Sequence, residues 1–449
     1  MVEMKKDLTG KKISIIGAGV SGCAVARLAA RHGADVFVSD GNQIAEDKKL
    51  LFETENIKWE ENQNSEKLLE CDEIVVSSGI PPYISAVKAA RDKGLKLTGE
   101  LDFSYPYLKG RIIAVTGSNG KTTTCSMIAE LLEKSSYRST AAGNIGLGIA
   151  ELADKEFDYI AMELSSFQLY WSKSFRCNTG IITNLAPDHL NWHGSYENYV
   201  ASKANLFNCI VQGGSAICQK RDSELLKPSA ETSVYTLGWQ NDCRIFMDRE
   251  SSAAYLDSEK LFDFSDVKLL GDHNLENAAM SMSALKLTDA VTDKKLLASF
   301  KAPEHRCEYA GEVNGIVFVN DSKGTNVAAS VTAMSSLPGT KIVILGGQGK
   351  GEDYTLLAET VQKYARKAVI IGSEKEKIAK ALDNAGYHEF KFAAQMKEAV
   401  ETAYAMAEKG EAVLLSPACT SWDMYPDFEA RGRDFCAAAA EIISRERNG

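Results

Sequence analysis

No two cysteines of this sequence form a C-x-x-C pair, no apolar run approaches the length of a membrane span, and no repeat or low-complexity tract interrupts the chain. Each absence removes a class. The ten cysteines, scattered from Cys23 to Cys436, lack the spacing of a zinc site or a disulfide framework and read as reduced, mostly buried thiols. Without a run of about 20 apolar residues nothing can span a bilayer as a helix. The polar start Met1-Val2-Glu3-Met4-Lys5-Lys6-Asp7 has no apolar segment of the signal-peptide kind. Basic charge is in deficit too. The 51 Lys and Arg against 61 Asp and Glu leave a net charge of -10, which disfavours a nucleic-acid partner, since phosphate backbones are held by dense Lys and Arg. The expectation is a cytoplasmic monomer with neither a nucleic-acid nor a membrane partner. A phosphorylated small molecule stays open, because backbone N–H groups and one lysine can hold phosphate.

At 449 residues the chain exceeds what one core usually serves. Short β-rich runs alternate with helical patterns, the mark of α/β layers built on parallel sheets. Strands are expected at Ile13–Ile16, Val36–Ser39, Glu73–Ser77, Ile112–Val115, Ile316–Asn320, Lys341–Leu345, Ala368–Ile371 and Ala412–Leu415. Three α/β domains follow, over 1–105, 106–304 and 305–449: a Rossmann-like N-terminal domain, a P-loop-type central ATPase domain and a Rossmann-like C-terminal domain.

Two glycine loops carry the first chemistry. Gly17-Ala18-Gly19-Val20-Ser21-Gly22 follows a strand and opens a helix, and Asp40 ends the next strand, where an acid can accept a ribose hydroxyl. The loop does not choose between NAD and another nucleotide, and a tight turn that binds nothing has the same pattern. Thr116-Gly117-Ser118-Asn119-Gly120-Lys121-Thr122-Thr123-Thr124 is sharper. Its glycines let backbone N–H groups approach phosphate, Lys121 reaches the terminal phosphates, and a threonine hydroxyl can ligate Mg²⁺. Val115 stands where the standard P-loop has glycine, so this is a variant ATP loop. Glu163, just past the run Tyr159–Met162, is placed to hold Mg²⁺; alone it reads equally as a surface acid. Asp188-His189 ends another strand, where α/β sites gather their ligands, although such a pair is more often a hydrogen-bonding cap. Lys203, in the following helix, reads as solvated unless burial lowers its pKa enough for it to react with CO₂.

In this order the motifs resemble the Mur ligases, the amide-forming ligases that build the peptide of peptidoglycan, over essentially the whole chain. The loop at 116–124, Glu163-Leu164-Ser165-Ser166, Asn184-Leu185-Ala186-Pro187-Asp188-His189-Leu190 and Lys203 match the family's central domain. Gly271-Asp272-His273-Asn274-Leu275-Glu276-Asn277, His305-Arg306, the run from Asn320 to Asn326 and Gly346–Gly351 match it further on. The 17–22 loop and Leu415–Asp423, continuing through Phe428-Glu429-Ala430-Arg431-Gly432, look like the members that add D-glutamate. Asn191 departs from the pattern, which commonly has Asp there.

The resemblance implies ATP-dependent joining of D-glutamate to UDP-N-acetylmuramoyl-L-alanine. It implies a UDP-sugar site at Val20, Ser21, Asp40, Gly41, Asn42, Gly79 and Asn144. ATP would lie on Gly117, Ser118, Asn119, Gly120, Lys121, Thr122, Thr123 and Thr124 with Asn277, Arg306 and Asp321. Two Mg²⁺ ions are implied, one near Thr122 and Glu163, the other on His189 and a carbamylated Lys203. D-glutamate would meet Lys350, Thr325, Ser421 and Phe428. A carboxylate acylates poorly, so phosphorylation by ATP would supply its leaving group, with Lys121, Glu163, His189 and Lys203 as the catalytic set. A nicotinamide oxidoreductase leaves the Lys121 loop without purpose, and a P-loop switch protein leaves the first domain unexplained. A folylpolyglutamate-type ligase shares the central chemistry but gives no reason for the N-terminal nucleotide-type domain.

Overall fold

Alternation of apolar residues builds three layered cores. In the strand Lys12–Ile16, Ile13 and Ile15 pack with Val25 and Leu28 of the helix Val20–Arg31, while Ile16 joins Ile74 and Val76 on the opposite face. In Arg111–Thr116, Ile113 and Val115 meet Ile128 and Leu131 of the helix Lys121–Lys134, whereas Ile112 and Ala114 meet Leu206 and Phe207 of Tyr196–Asn208. Lys341–Gly346 repeats the scheme, with Val343 and Leu345 facing Leu357, and Ile342 and Ile344 facing Phe435. A strand with both faces covered by helices must be apolar on both. Each such side chain contributes about 1.5–3 kcal/mol on leaving water.

The computed structural model describes residues 7–226, 232–269, 271–301 and 304–448. Its first sheet runs Lys58–Glu60, Asp35–Ser39, Lys12–Ile16, Glu73–Val76, Lys96–Gly99, all parallel. The chain moves outward on both sides of Lys12–Ile16, which opens a crevice above that strand's carboxyl end. The second sheet orders Ser139–Gly143, Tyr159–Glu163, Arg111–Thr116, Cys177–Ile182, Ile210–Gln219, Ser233–Gly238 and Ile245–Asp248 in parallel, then adds Ala253–Leu256 and Glu259–Asp263 antiparallel. The third runs Glu308–Val313, Ile316–Asn320, Ala412–Leu415, Lys341–Gly346, Ala365–Ile371, Phe390–Phe392, parallel except for its first pair. This is the α/β fold with Rossmann-like outer sheets expected from the sequence. Among the described residues no helix is long and apolar enough to cross a membrane.

The two antiparallel additions depart from the all-parallel expectation. Two of the three antiparallel pairs have a plain local cause: Asp257-Ser258 and Asn314-Gly315 all have positive φ, the conformation of two-residue hairpin turns, and so short a link can join only antiparallel strands. The third pair, Ile245–Asp248 with Ala253–Leu256, is joined by the short link 249–252.

The first sheet passes to the second through the short helix Glu100–Ser104, held by one buried acid. Asp102 accepts hydrogen bonds from the N–H groups of Lys173 at 2.6 Å, Ser174 at 2.8 Å and Phe175 at 2.9 Å, and from the Ser172 hydroxyl at 2.9 Å. Asp102→Ala strands those donors in a buried seam. A loss of about 3 kcal/mol is expected from the urea midpoint, with a smaller loss for Asp102→Asn, which keeps one acceptor.

Candidate active site

The glycine loop between Arg111–Thr116 and Lys121–Lys134 is shaped by close approach. Gly117 has φ +141°, and a Cβ there would collide with the Thr183 hydroxyl. Gly120, also at positive φ, lies against the Asn277 amide, which accepts from the Thr124 hydroxyl at 3.3 Å. Ser118 and Asn119 turn their N–H groups to Asn184, at 2.9 and 3.0 Å. Gly120, Lys121 and Thr122 open the helix, where N–H groups lack intrahelical partners and favour an anion.

Cations crowd this loop. Lys121 donates to the carbonyls of Gly117 at 2.9 Å and Ser118 at 2.8 Å. Lys203, 2% exposed, donates to the Gly117 carbonyl at 2.7 Å and lies over the Tyr199 ring. Burial, reinforced by Lys121, holds the Lys203 amine far below the usual lysine range. From the third sheet, Arg306 and Lys323 both donate to the Thr122 hydroxyl, at 2.9 and 3.1 Å. Burial pushes Lys323 down to about 8, and the Nε of Arg306 is buried without a hydrogen-bond partner. Facing these groups is Glu163, 4% exposed, whose Oε2 is buried and also unpartnered. A buried polar atom without a partner costs about 1–3 kcal/mol, so the arrangement suits a polyanion with its counter-cation.

Asp188 binds the central domain to the third. Asp188 accepts from Lys350 at 3.0 Å and from the Asn326 amide at 3.2 Å. Burial works to raise its pKa, but Lys350 and His189 outweigh that and bring it to about 2. His189, in the left-handed region at φ +52°, packs edge-on to Phe167; burial brings its ring to about 4 and leaves it neutral. Asp321 accepts from the Ser416 hydroxyl at 2.8 Å and the Cys307 N–H at 3.3 Å, and burial raises it to about 6. Lys350 is thus engaged by a carboxylate of the central sheet. Its loop is paired with the one before Ser421 through Gln348 and Thr420, 2.9 Å each way. Thr325 lies between Lys323 and Asn326, and the Phe428 ring lies under Lys323 at 5.0 Å.

The UDP candidates gather at the carboxyl edge of the first sheet. Val20 and Ser21 begin a helix, Asp40-Gly41-Asn42 follows the neighbouring strand, and Gly79 follows the strand on the other side. Both Asp40 oxygens are engaged by backbone, Oδ2 by the Ala18 N–H at 2.7 Å and Oδ1 by that of Asn42 at 2.9 Å. Asn144 sits apart on the central sheet, its N–H donating to the Glu163 carbonyl at 3.0 Å. The Asn191 carbonyl accepts from Tyr83 at 3.3 Å, on the seam with the first domain. Sequence reasoning gave no role to Lys323 or to Arg431. The latter, 1% exposed, donates to Ser322 and to the carbonyls of Cys419 and Thr420. The signal for each was its place in a quoted motif, the lysine in the Asn320–Asn326 run and the arginine in Phe428–Gly432.

Between the central and third sheets the space bounded by Gly120, Asn277, Arg306, Asp321 and Lys323 measures about 60 Å³, and a cleft of about 520 Å³ shares Asn119, Gly120, His273 and Asn277 with it. A more spacious cavity, about 860 Å³ beside Tyr83, Tyr170 and Trp192, includes none of the glycine-loop residues. Volume alone would therefore misplace the site.

Three family models match in succession: the MurD N-terminal domain over residues 12–86, the Mur ligase middle domain over 115–285, and the Mur ligase, glutamate ligase domain over 305–419. A UDP-N-acetylmuramoylalanine--D-glutamate ligase of Thermoanaerobacter pseudethanolicus is 35% identical, covering 97% of this chain and 99% of the relative. One from Bacteroides fragilis is 34% identical, over 96% and 100%. Among solved structures, the UDP-N-acetylmuramate-alanine ligase of Thermotoga maritima has a TM-score of 0.62 at 19% identity, covering 96% of this chain and 100% of that one. The MurF ligase of the same organism, in complex with ADP, has 0.60 at 16%, covering 99% and 96%.

Glu352 accepts from the Val327 N–H at 2.8 Å, and burial raises its carboxyl from 4.5 to about 7. Between those values the folded chain holds the proton more tightly than the unfolded one, so this group lowers stability as pH rises through them. Glu352→Gln is expected to raise the melting temperature at pH 8, with the gain shrinking toward zero near pH 4.5. Scanning calorimetry at both pH values checks it.

Proposed function

This chain belongs to the Mur ligase family, and on that premise we propose that it joins D-glutamate to UDP-N-acetylmuramoyl-L-alanine at the expense of ATP, in peptidoglycan precursor synthesis. The observation that carries this reading is the convergence of Lys121, Lys203, Arg306 and Lys323, from two domains, on Glu163 and Thr122 at the mouth of a glycine loop. The reaction is placed in the cytoplasm, with one chain, as a monomer, supplying the whole site.

The two substrates that must meet first are both anionic. Lys121, Arg306 and Lys323 offset the repulsion between the alanyl carboxylate and the triphosphate, and fixed charges in a site shielded from water do so without reorganising. The carboxylate oxygen attacks the γ-phosphorus, the bond to the ADP oxygen breaks, and an acyl phosphate forms. The amine of D-glutamate then attacks the acyl carbon, phosphate leaves with the C–O electron pair, and the proton lost by the nitrogen ends on the departing phosphate. The UDP-sugar is held at Val20, Ser21, Asp40, Gly41, Asn42 and Gly79, and Asn144 orients its reactive end beside Glu163. Lys350, Thr325, Ser421 and Phe428 receive D-glutamate, whose carboxylate competes with Asp188 for Lys350.

The residues present fit Mg²⁺, which prefers oxygen ligands and keeps several for phosphate and water. Glu163, with its unpartnered oxygen, and Thr122 would hold one ion, and His189 with a carbamate on Lys203 the other; when bound, the ions neutralise phosphate charge. A neutral, buried Lys203 amine is what carbamylation needs, since the nitrogen adds to CO₂ through its lone pair and releases a proton.

Phosphate release with ATP and UDP-N-acetylmuramoyl-L-alanine is expected with D-glutamate and not with L-glutamate, whose inverted centre leaves one carboxylate unpaired. Equal use of L-glutamate, or turnover with a folate in place of the UDP-sugar, contradicts the reading. Lys203→Ala is expected to lower kcat by about a thousandfold, and a short carboxylate such as acetate to restore part of it. Full activity of that variant would refute the carbamate.

A further inference from the structure

The linker helix that holds Asp102 begins with a second acid, Glu100, which no step of the ligation uses. It is 4% exposed. Its Oε1 accepts from the Gln168 amide at 2.8 Å, and its Oε2 is buried with no hydrogen-bond partner. Ser21 and Ser78 lie against the same carboxyl. Ser21 is the second residue of the helix above the first sheet and Ser78 precedes Gly79, so both loops proposed to hold the UDP-sugar rest on Glu100. On the other side, the Gln168 amide oxygen accepts from the Ser165 N–H at 2.8 Å and its hydroxyl at 3.0 Å. Ser165 is two residues past Glu163. The residue between them, Leu164, accepts through its carbonyl from the Thr116 hydroxyl at 2.7 Å, and Thr116 leads into the glycine loop.

One carboxyl therefore stands between the floor of the first sheet's crevice and the strands that carry Glu163 and Lys121. The backbone there has no slack: a Cβ on Gly99 would come within 2.5 Å of the Trp171 Cβ. Burial raises the pKa of Glu100 against the pull of Gln168, Ser21 and Ser78.

We propose that Glu100 is a positioning residue for the ligation: held by Gln168 and packed against the loops of Ser21 and Ser78, it sets the distance from the substrate carboxylate to the γ-phosphate. The inference rests on the function proposed above. It touches neither substrate, so its signature is in kcat and not in binding.

With Glu100→Ala, kcat is expected to fall by about a hundredfold, the effect of a misplacement of roughly 1 Å. The KM values for ATP and the UDP-sugar should each stay within about threefold of wild type. Glu100→Gln, a neutral side chain of the same shape, should restore kcat, and Glu100→Asp, shorter by one methylene, should not. Should the alanine variant fail to fold, the Asp and Gln variants carry the comparison. A kcat within about threefold of wild type in both Ala and Asp variants, or a rise in the KM for the UDP-sugar with kcat unchanged, overturns the inference. Wild-type turnover is measured first: its absence overturns the proposed function and this inference with it, whereas an active wild type with unaffected variants overturns this inference alone.

Discussion

Unbalanced positive charge beneath the glycine loop is the constraint on which the rest of the molecule depends. Lys121, Arg306, Lys323 and the Lys203 amine face Glu163, with Asp188 and Asp321 acting on them too, and burial lowers the pKa of all four basic groups. Removing a charge from water costs several kcal/mol unless a partner replaces the lost hydration. The protein supplies part of that replacement from its own chain, through the Gly117 and Ser118 carbonyls and the side-chain hydroxyl of Thr122. What it leaves undone, at Arg306 Nε and Glu163 Oε2, a polyphosphate and its metal can complete.

The same charges account for how the domains meet. Arg306 and Lys323 come from beyond the central domain, and with Lys350 and Asn326 they fasten it to the edge that bears Thr122 and Asp188. The space they leave, about 60 Å³, is far below the several hundred Å³ of an ordinary ligand pocket. A triphosphate would call on the same donors that now make these contacts between domains.

What could be read from the sequence was local. The glycine loop at 116–124, the helix opened by the 17–22 loop and the strand Ala412–Leu415 declare themselves through period and neighbouring residues, and they lie where expected. Asn314-Gly315 was equally plain as a hairpin turn and went unread, which hid the antiparallel edge of the third sheet. The remaining gaps are of another kind. Asp188 and Lys350 are 162 positions apart and Asp102 and Phe175 are 73 apart, and no spacing rule connects residues that only tertiary packing brings together. Burial had the same effect on Lys203 and Glu100: each reads as an ordinary surface charge until the fold covers it.

Arg431 has a consequence in time. Its guanidinium joins the Ser322 turn to the Cys419–Thr420 turn, the former 109 positions earlier in the chain. During synthesis the glycine loop and its helix can fold long before that residue leaves the ribosome. The two turns beside Thr325 and Ser421 stay unfastened until it does. A growing chain thus completes its glycine loop early and these two turns among the last, so a nascent chain that stops short of Arg431 lacks the bolt between them.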